Sequence, residues 1–396
     1  MRRRPGAGDG LRAEIIEDLA ALEPLLPEWD ALAVTSARPL SAPGWLLAWW
    51  RSLAPLEASL RVVAIRDGGS ALVGLAPYFV VREGGLAHYR PLGSEDMGIR
   101  NVPLAAEGLE LPVARAVAAA LAGASPRPAV VHLSQADEGS PWPLMLTRAW
   151  PGLFGPRRER VREASAPTLH LEAASYEEWL AGKSSNFRQR LRRDTRKLEE
   201  KGARTWMART PAELDEALAV FHRLHGARWG DESPLAAEAG NRMMLDAGHA
   251  LLGSERFRVW TIAVEDTPIT VQIFVAAGGD VTYWNGGWDP EWSSFSPAMI
   301  GICAGLEDAF ARGERRIDFG EGEHHYKTRL ADRDEPIAWT RLLPRDIRYP
   351  RTLAATAPAR ARHAARQVVG RLPAPLRTRV ERLAGRGDPP EDDAAA

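Results

Sequence analysis

Between residues 318 and 327 the chain places Asp318, Glu321, Glu323, Tyr326 and Lys327 close together. Carboxylates can take a proton and a phenol or an ammonium can give one, so this set suits proton transfer between two reacting groups. No activated covalent nucleophile is evident beside them. If 323–330 is helical, Glu323, Tyr326 and Lys327 share a face, being three and four residues apart. Asp318 and Glu321 stand just before, at the end of a strand, where the side chains of α/β sites converge. A plainer reading uses the same residues: Asp318 and Lys327 as an internal ion pair that anchors the short helix. His324 and His325 are adjacent, and neighbouring helical residues diverge by about 100°, so no metal site is expected.

The elements that must position these residues are read from periodicity. Strands are expected at 257–265, 268–277 and 281–286, then a helix at 296–312, a strand at 315–319, a short helix, and a closing strand at 336–343. Pro297 near the first turn, Ser296 as a candidate cap and Gly313 beyond the last turn bound the long helix. A helix that begins in a tight loop after a strand aims free N–H groups and its positive dipole end at one spot, which suits a phosphate. Upstream, Ser184 or Ser185 opens a basic helix in which Phe187, Leu191 and Leu198 form the buried stripe and Arg188, Arg192 and Arg196 a charged row. That row suits an anion or is a wet helix face. The next helix, 211–229, starts at Thr210-Pro211 and ends in His225, Arg228 and Trp229; the two cations there also complement the helix dipole.

The stretch 288–330 resembles the GNAT N-acyltransferase superfamily, in particular its CelD-like (BioF-like) branch, and more distantly the Fem-type peptidyltransferases. The matching pieces are Ser296-Pro297-Ala298-Met299, Ile317-Asp318-Phe319-Gly320-Glu321-Gly322 and Tyr326-Lys327. Upstream, Ser184-Ser185-Asn186-Phe187-Arg188, Phe221-His222-Arg223-Leu224-His225 and Arg228-Trp229 match as well, so the resemblance spans roughly 175–343. Ala298 stands where the family often has glycine. The resemblance implies an acyl-CoA co-substrate, acetyl-CoA first, and no metal. It implies that the strand Tyr283-Trp284-Asn285 turns backbone N–H groups toward the thioester oxygen, and that Ser296 to Met299 hold the pyrophosphate. His225, Arg228 and Trp229 then face the acceptor. Trp284 has a second reading as core filling, and Asn285-Gly286-Gly287 as a turn. Within this reading Glu321 or Glu323 serves as base toward the incoming amine and Tyr326 as acid toward the leaving thiolate. Lys327 holds anionic charge, oriented by Asp318.

The first half repeats the order of elements. A strand and a helix are expected over 12–34, followed by an aromatic cluster of Trp45, Trp49 and Trp50, for which core packing is the leading reading over a ligand platform. Strands at 60–66, 71–81 and 86–91 are joined by Gly-Gly turns, and a helix at 110–122, a strand at 129–134, a helix at 141–149 and strands at 157–163 and 167–171 follow. The loop Gly93-Ser94-Glu95-Asp96-Met97-Gly98 is either an acceptor contact or a solvated turn. The fold class expected is α/β: tandem duplicated GNAT-like domains, each a mixed, mostly antiparallel sheet flanked by helices. The expected divisions are 1–172, a non-catalytic copy on the acceptor side; 173–350, the acyltransferase copy; and 351–396, an Arg/Ala/Pro-rich tail that Pro358, Pro373 and Pro375 break up, partly disordered.

Composition sets the remaining bounds. With 51 Lys+Arg against 52 Asp+Glu no DNA partner is implied. The single cysteine, Cys303, excludes an intrachain disulfide. The basic N-terminus lacks the apolar run of a secretory signal, and no window spans a membrane, so a cytoplasmic location is expected. The acceptor expected is a small molecule, such as an amino sugar, or a glycan or envelope precursor. Fem-like use of aminoacyl-tRNA is the second enzyme reading, against which stands the lack of a long helical arm for tRNA. A degenerate acyltransferase that binds a polysaccharide-synthesis partner is the third. The tail carries apolar residues among its arginines, which suits weak association with an anionic membrane surface.

Overall fold

Two strands dominate because they are apolar on both faces, a pattern only a strand covered on both sides can satisfy. They are Leu72–Glu83, buried until its last two residues, and Thr267–Ala277, buried from Ile269 onward. The computed structural model describes residues 10–93, 100–230 and 233–370, and around these two strands it builds two sheets. In chain order the first half comprises β1 (Arg12–Ile16), α1 (Leu26–Thr35), α2 (Pro43–Leu53), β2 (Ser59–Arg66), β3 (Leu72–Glu83), β4 (Leu86–Pro91), β5 (Leu104–Ala105), α3 (Glu110–Gly123), β6 (Val130–Asp137), α4 (Trp142–Ala149), β7 (Arg157–Ala164) and β8 (Pro167–His170). The second comprises α5 (Tyr176–Ala181), α6 (Ser185–Glu199), β9 (Ala203–Met207), α7 (Pro211–Trp229), α8 (Glu238–Leu252), β10 (Phe257–Val264), β11 (Thr267–Ala277), β12 (Asp280–Trp288), α9 (Pro297–Ala311), β13 (Arg316–Asp318), α10 (His325–Leu330), β14 (Arg333–Asp334), β15 (Ile337–Leu343) and α11 (Tyr349–Gly370).

Both sheets follow one plan. The first runs β1-β2-β3-β4-β6-β15-β7 with β5 beside β3, and the second runs β9-β10-β11-β12-β13-β8-β14. In each, three antiparallel strands are followed by a helix and a strand that returns parallel to the third, β4 with β6 and β12 with β13. The next position in each sheet is filled by the other half. Strand β15, expected to close the second sheet, lies between β6 and β7 of the first, while β8 of the first half pairs with β13 and β14. The halves are therefore tied together by reciprocal strand exchange.

A common core sits between the sheets. Trp29, Trp45 and Trp49 of α1 and α2 pack with Phe221 of α7, Met243 of α8 and the inner faces of β2, β3, β10 and β11. Trp45 meets Trp284 edge-on at 4.9 Å, so this aromatic cluster is core packing that joins the halves. Helices α3 and α4 cover the outer face of the first sheet, and α9 that of the second. Among the described residues no helix is long and apolar enough to cross a membrane.

The segment after 348 departs from expectation. Residues 349–370 form one helix through Pro358, where a break was expected. Proline removes one N–H from the ladder, and side-chain bonds to other carbonyls of the same turns hold the helix on either side of it. Arg360 Nη2 donates to Leu353 O at 2.9 Å and Thr356 Oγ1 to Thr352 O at 2.9 Å. The helix is also held to β7 by the Arg360–Glu159 pair. The loop expected as an acceptor contact (94–98) and the chain from 371 lie outside the described residues.

Candidate active site

The site is built around a place where two parallel strands part. β12 and β13 pair only over Asp280↔Arg316, Val281↔Ile317 and Thr282↔Asp318, whereas β12 continues to Trp288 along β11. A bulge at Trp284 shifts the β11–β12 register between Ile273↔Asn285 and Phe274↔Tyr283, which turns the strand away. Side chains line the opening. Tyr283 packs against Phe319 at 6.3 Å and edge-on against Tyr326 at 6.3 Å.

A buried polar chain runs from Tyr326 into the sheet. Tyr326 and Tyr283 share a hydrogen bond, Tyr283 donates to Gln272 Oε1 at 2.7 Å, Gln272 Nε2 to Thr270 Oγ1 at 2.7 Å, and Thr270 to Gly287 O at 2.8 Å. Burial raises the pKa of both phenols, so they stay protonated donors at neutral pH. The chain fits because glycines face it. A Cβ at Gly286 would stand 2.0 Å from Gln272 Oε1, and one at Gly301 of α9 2.8 Å from Gln272 Cγ.

At the start of α9, Ser296 adopts a left-handed conformation at φ 50° and no side chain caps the helix. Pro297, Ala298 and Met299 are buried in the first turn. The Ser296 hydroxyl instead bonds across to α6, accepting from Arg190 Nη2 at 3.2 Å and donating to Asp194 Oδ2 at 3.3 Å. Asp194 is 1% exposed and also accepts from Arg193 at 2.9 Å. The start of α9 is thus packed against α6, where two guanidinium groups and an uncapped helix end are set against one carboxylate. The sequence reading missed Asp194 and looked to Arg188, Arg192 and Arg196 instead. Its signal was present: 187, 191, 194 and 198 are spaced four, three and four apart, which puts Asp194 on the buried stripe.

Of the reactive set, Asp318 is 4% exposed and is held by Arg100 of the first half, with Nε to Oδ2 at 2.7 Å and Nη2 to Oδ1 at 3.0 Å. Arg100 also pairs with Asp137, which pairs with Arg38 at 2.7 Å. Burial alone would raise the Asp137 carboxyl, but Arg38 and Arg100 overcome it and hold it at about 2. The plain expectation of an Asp318–Lys327 ion pair is replaced by this arrangement: Lys327 Nζ donates to Glu321 O at 2.7 Å. Burial lowers Lys327 to about 8, against the nearby Asp318 charge. Glu321 pairs with Arg162 of β7. Glu323 is exposed and precedes the helix, because α10 begins only at His325. It does not share a helical face with Tyr326 and Lys327 as expected. His324 stacks on Tyr326 at 6.1 Å, and no group of side chains suited to a metal occurs among the described residues.

The end of α7 flanks the same opening. Gly287 lies against Leu224 and His225, and Arg228 sits 4.0 Å over the Trp288 ring, close enough for its charge to act on Tyr283 and Tyr326. His225 is buried, with Nε2 2.8 Å from Ser233 Oγ; burial lowers its pKa, with His222 and Arg228 adding to the effect. Trp229 is exposed. Trp284 turns its ring into the common core, as its second reading had it, and Asn285 Oδ1 accepts from Gly286 N at 2.8 Å.

Comparison with known proteins bears on the fold. Residues 185–328 are similar to the family model described as an acetyltransferase (GNAT) domain. No curated protein sequence matches the chain. Among solved structures it is similar to FemX, with a TM-score of 0.58 and 12% identity over 84% of this chain and 97% of that one. A conserved protein of unknown function from Bacteroides thetaiotaomicron gives a TM-score of 0.53 at 12% identity over 83% and 99%. The C-terminal domain of a protein assigned as a lysylphosphatidylglycerol synthetase from Agrobacterium fabrum gives 0.52 at 10% over 84% and 94%. At such identities the likeness is one of fold. The fold is tandem and GNAT-like, two mixed, mostly antiparallel sheets flanked by helices.

Proposed function

We propose that the chain transfers an acyl group from an acyl-CoA, acetyl-CoA first, to an amine or hydroxyl of a small-molecule or glycan acceptor such as an amino sugar or envelope precursor. The observation that carries this reading is the parting of β12 from β13 beside the uncapped start of α9. The co-substrate would supply a thioester carbon to be attacked and a thiol to leave. Ala298 and Met299 amides, with Arg190 and Arg193, would hold its pyrophosphate, and the backbone of Trp284 and Asn285 would face the thioester oxygen.

In this reading the acceptor lies against His225, Arg228 and Trp229. Glu321 or Glu323 takes the proton of the attacking amine as the N–C bond forms and the C–S bond breaks. The Tyr326 phenol donates toward the departing sulfur. Lys327 keeps the Glu321 turn in place through its bond to Glu321 O. Holding the two reactants in register supplies much of the rate, up to about 7–11 kcal/mol in well-oriented systems.

A second reading has two observations in its favour. The buried Asp194 carboxylate at the start of α9 opposes a pyrophosphate, and the fold is similar to that of FemX over 84% of this chain. A Fem-like use of aminoacyl-tRNA, or a non-catalytic role, would fit that. Calorimetric titration with acetyl-CoA separates the readings. Micromolar binding that strengthens in Asp194→Asn is expected, together with turnover lost in Tyr326→Phe at a stability lowered by no more than the loss of one hydrogen bond, about 0.5–1.5 kcal/mol. No acetyl-CoA binding in either protein sinks the proposal, and binding only in the presence of tRNA favours the Fem-like reading.

A further inference from the structure

Two loops that carry exposed apolar residues line one cavity. Leu153 and Phe154, after α4, and Ile347, after β15, are 96%, 65% and 97% exposed. The segments carrying them line the same cavity of about 350 Å³, together with Trp150, Arg127 and Arg345. The α4 loop is pinned at its base, since a Cβ at Gly155 would stand 2.6 Å from Thr147 O, so its apolar tip is held outward. Isolated exposed apolar residues are ordinary, but Leu153 and Phe154 at the rim, with Ile347 between the lining residues Asp346 and Arg348, put three large ones on two loops that share one cavity.

The charges around the rim indicate the partner. Asp346, the one carboxylate lining the cavity, is taken by Arg348, whose other bonds go to Arg127 O and Pro128 O. Arg127 and Arg345 form no ion pair among the described residues. Three apolar tips are far short of the roughly 1,200–2,000 Å² that a stable protein interface buries. They suit a bilayer surface, where each inserted side chain contributes separately and arginine stems lie along the apolar boundary with their heads among anionic headgroups. We propose that the loops carrying Leu153, Phe154 and Ile347, with Arg127 and Arg345, dock the protein on an anionic lipid membrane. The proposal is independent of the acyl-transfer reading.

The test is flotation of the full chain with vesicles of phosphatidylcholine alone or mixed with phosphatidylglycerol. The wild type should float with the mixed vesicles. Leu153→Asp/Phe154→Asp, and separately Ile347→Asp on the other loop, should lower partitioning by ~10-fold or more, and Arg127→Ala/Arg345→Ala by ~5-fold per arginine at low salt. Melting temperatures should not move, because these side chains are exposed. The basic tail is present in every protein compared, so the differences report the loops. Three results overturn the proposal: no flotation of the wild type, full flotation of both apolar variants, or a dimer in solution that Leu153→Asp/Phe154→Asp converts to monomer.

Discussion

The two parallel strand pairs, β4 with β6 and β12 with β13, occupy the same place in their sheets and end differently. In the first half, pairing at His88↔Val130 and Tyr89↔Val131 is continued by the main chain. Asn101 bridges Ser134, and its side chain donates to Leu92 O at 2.8 Å. The helix that follows, α3, carries Glu110 in its first turn, whose carboxylate accepts from Gly108 N at 3.3 Å. In the second half, among the described residues, no backbone continues the pairing beyond Thr282↔Asp318, and the first turn of α9 carries no acid. One plan thus yields a gap closed by backbone and a gap left to side chains. Only in the latter do buried phenols, Tyr283 and Tyr326, stand where the strands part, with a helix whose first turn carries no acid following β12.

The sharpest way to break this comparison is to cut the link between the halves at Arg100. Arg100→Ala strips the buried Asp318 of its bonded guanidinium and leaves it the Gly320 amide with the nearby charges of Arg316 and Lys327, and removing one member of a buried pair costs about 3–5 kcal/mol. Urea denaturation should show that loss, and adding Asp318→Asn should recover part of it by removing the stranded charge. If Arg100→Ala costs under about 1 kcal/mol, as a surface pair would, the first half is not a structural part of the second half's site.

This dependence was the part least legible in the sequence. The strands, the long helix at 297–311 and the cap at Thr210 were readable because each rests on local signals: alternation, Pro297, and a capping box with Glu213. Asp318, Tyr326 and Lys327 could be named from their types and spacing. Their partners could not, because Arg100 lies 218 residues from Asp318 and reaches it only through the exchanged sheets. The exchange itself leaves no local mark, since β8 and β15 read as ordinary strands whichever sheet accepts them. Helix α8 and strand β9 were passed over, although Met243, Met244, Ala247, Leu251 and Leu252 carry a helical period. Gln272 had a signal that went unused, as a polar residue inside an apolar central strand.

The halves should also answer pH at opposite ends. Lys327 titrates at about 8 in the folded chain and near 10.5 in the unfolded one. Between those values the unfolded chain binds more protons, so stability rises with pH through that window, by about 3 kcal/mol at most. In the first half, His88 Nδ1 lies 3.1 Å from His132 Nε2 with both rings buried. Burial holds His88 at about 4, helped by Arg90 and Arg341 against Glu83, and keeps His132 well below its usual value. Here the unfolded chain takes up protons first as pH falls below 6.5, so stability drops with acid. Denaturation curves across pH should lose the alkaline rise in Lys327→Met and the acid fall in His88→Gln/His132→Gln. A Lys327→Met curve parallel to the wild type above pH 8 would place that ammonium in solvent and remove it from the site.

The finest test uses one glycine from each half. A Cβ at Gly305 of α9 would stand 2.3 Å from the Phe274 ring, and one at Gly74 of β3 2.5 Å from Val113 of α3. Each helix therefore lies against its sheet at a distance only glycine allows, and alanine should cost each about 1–3 kcal/mol from overpacking. At α9 part of that is offset by about 1 kcal/mol of helix propensity. What separates the two is what the displaced helix carries. Shifting α9 moves the amides of Ala298 and Met299 relative to Arg190 and Arg193, so Gly305→Ala should weaken acetyl-CoA binding beyond its effect on melting. Gly74→Ala shifts a helix whose first turn already bears Glu110, so it should lower stability and leave binding as it was. If both substitutions weaken binding equally, the loss comes from general loosening of the joined sheets, and the start of α9 has no special part in it.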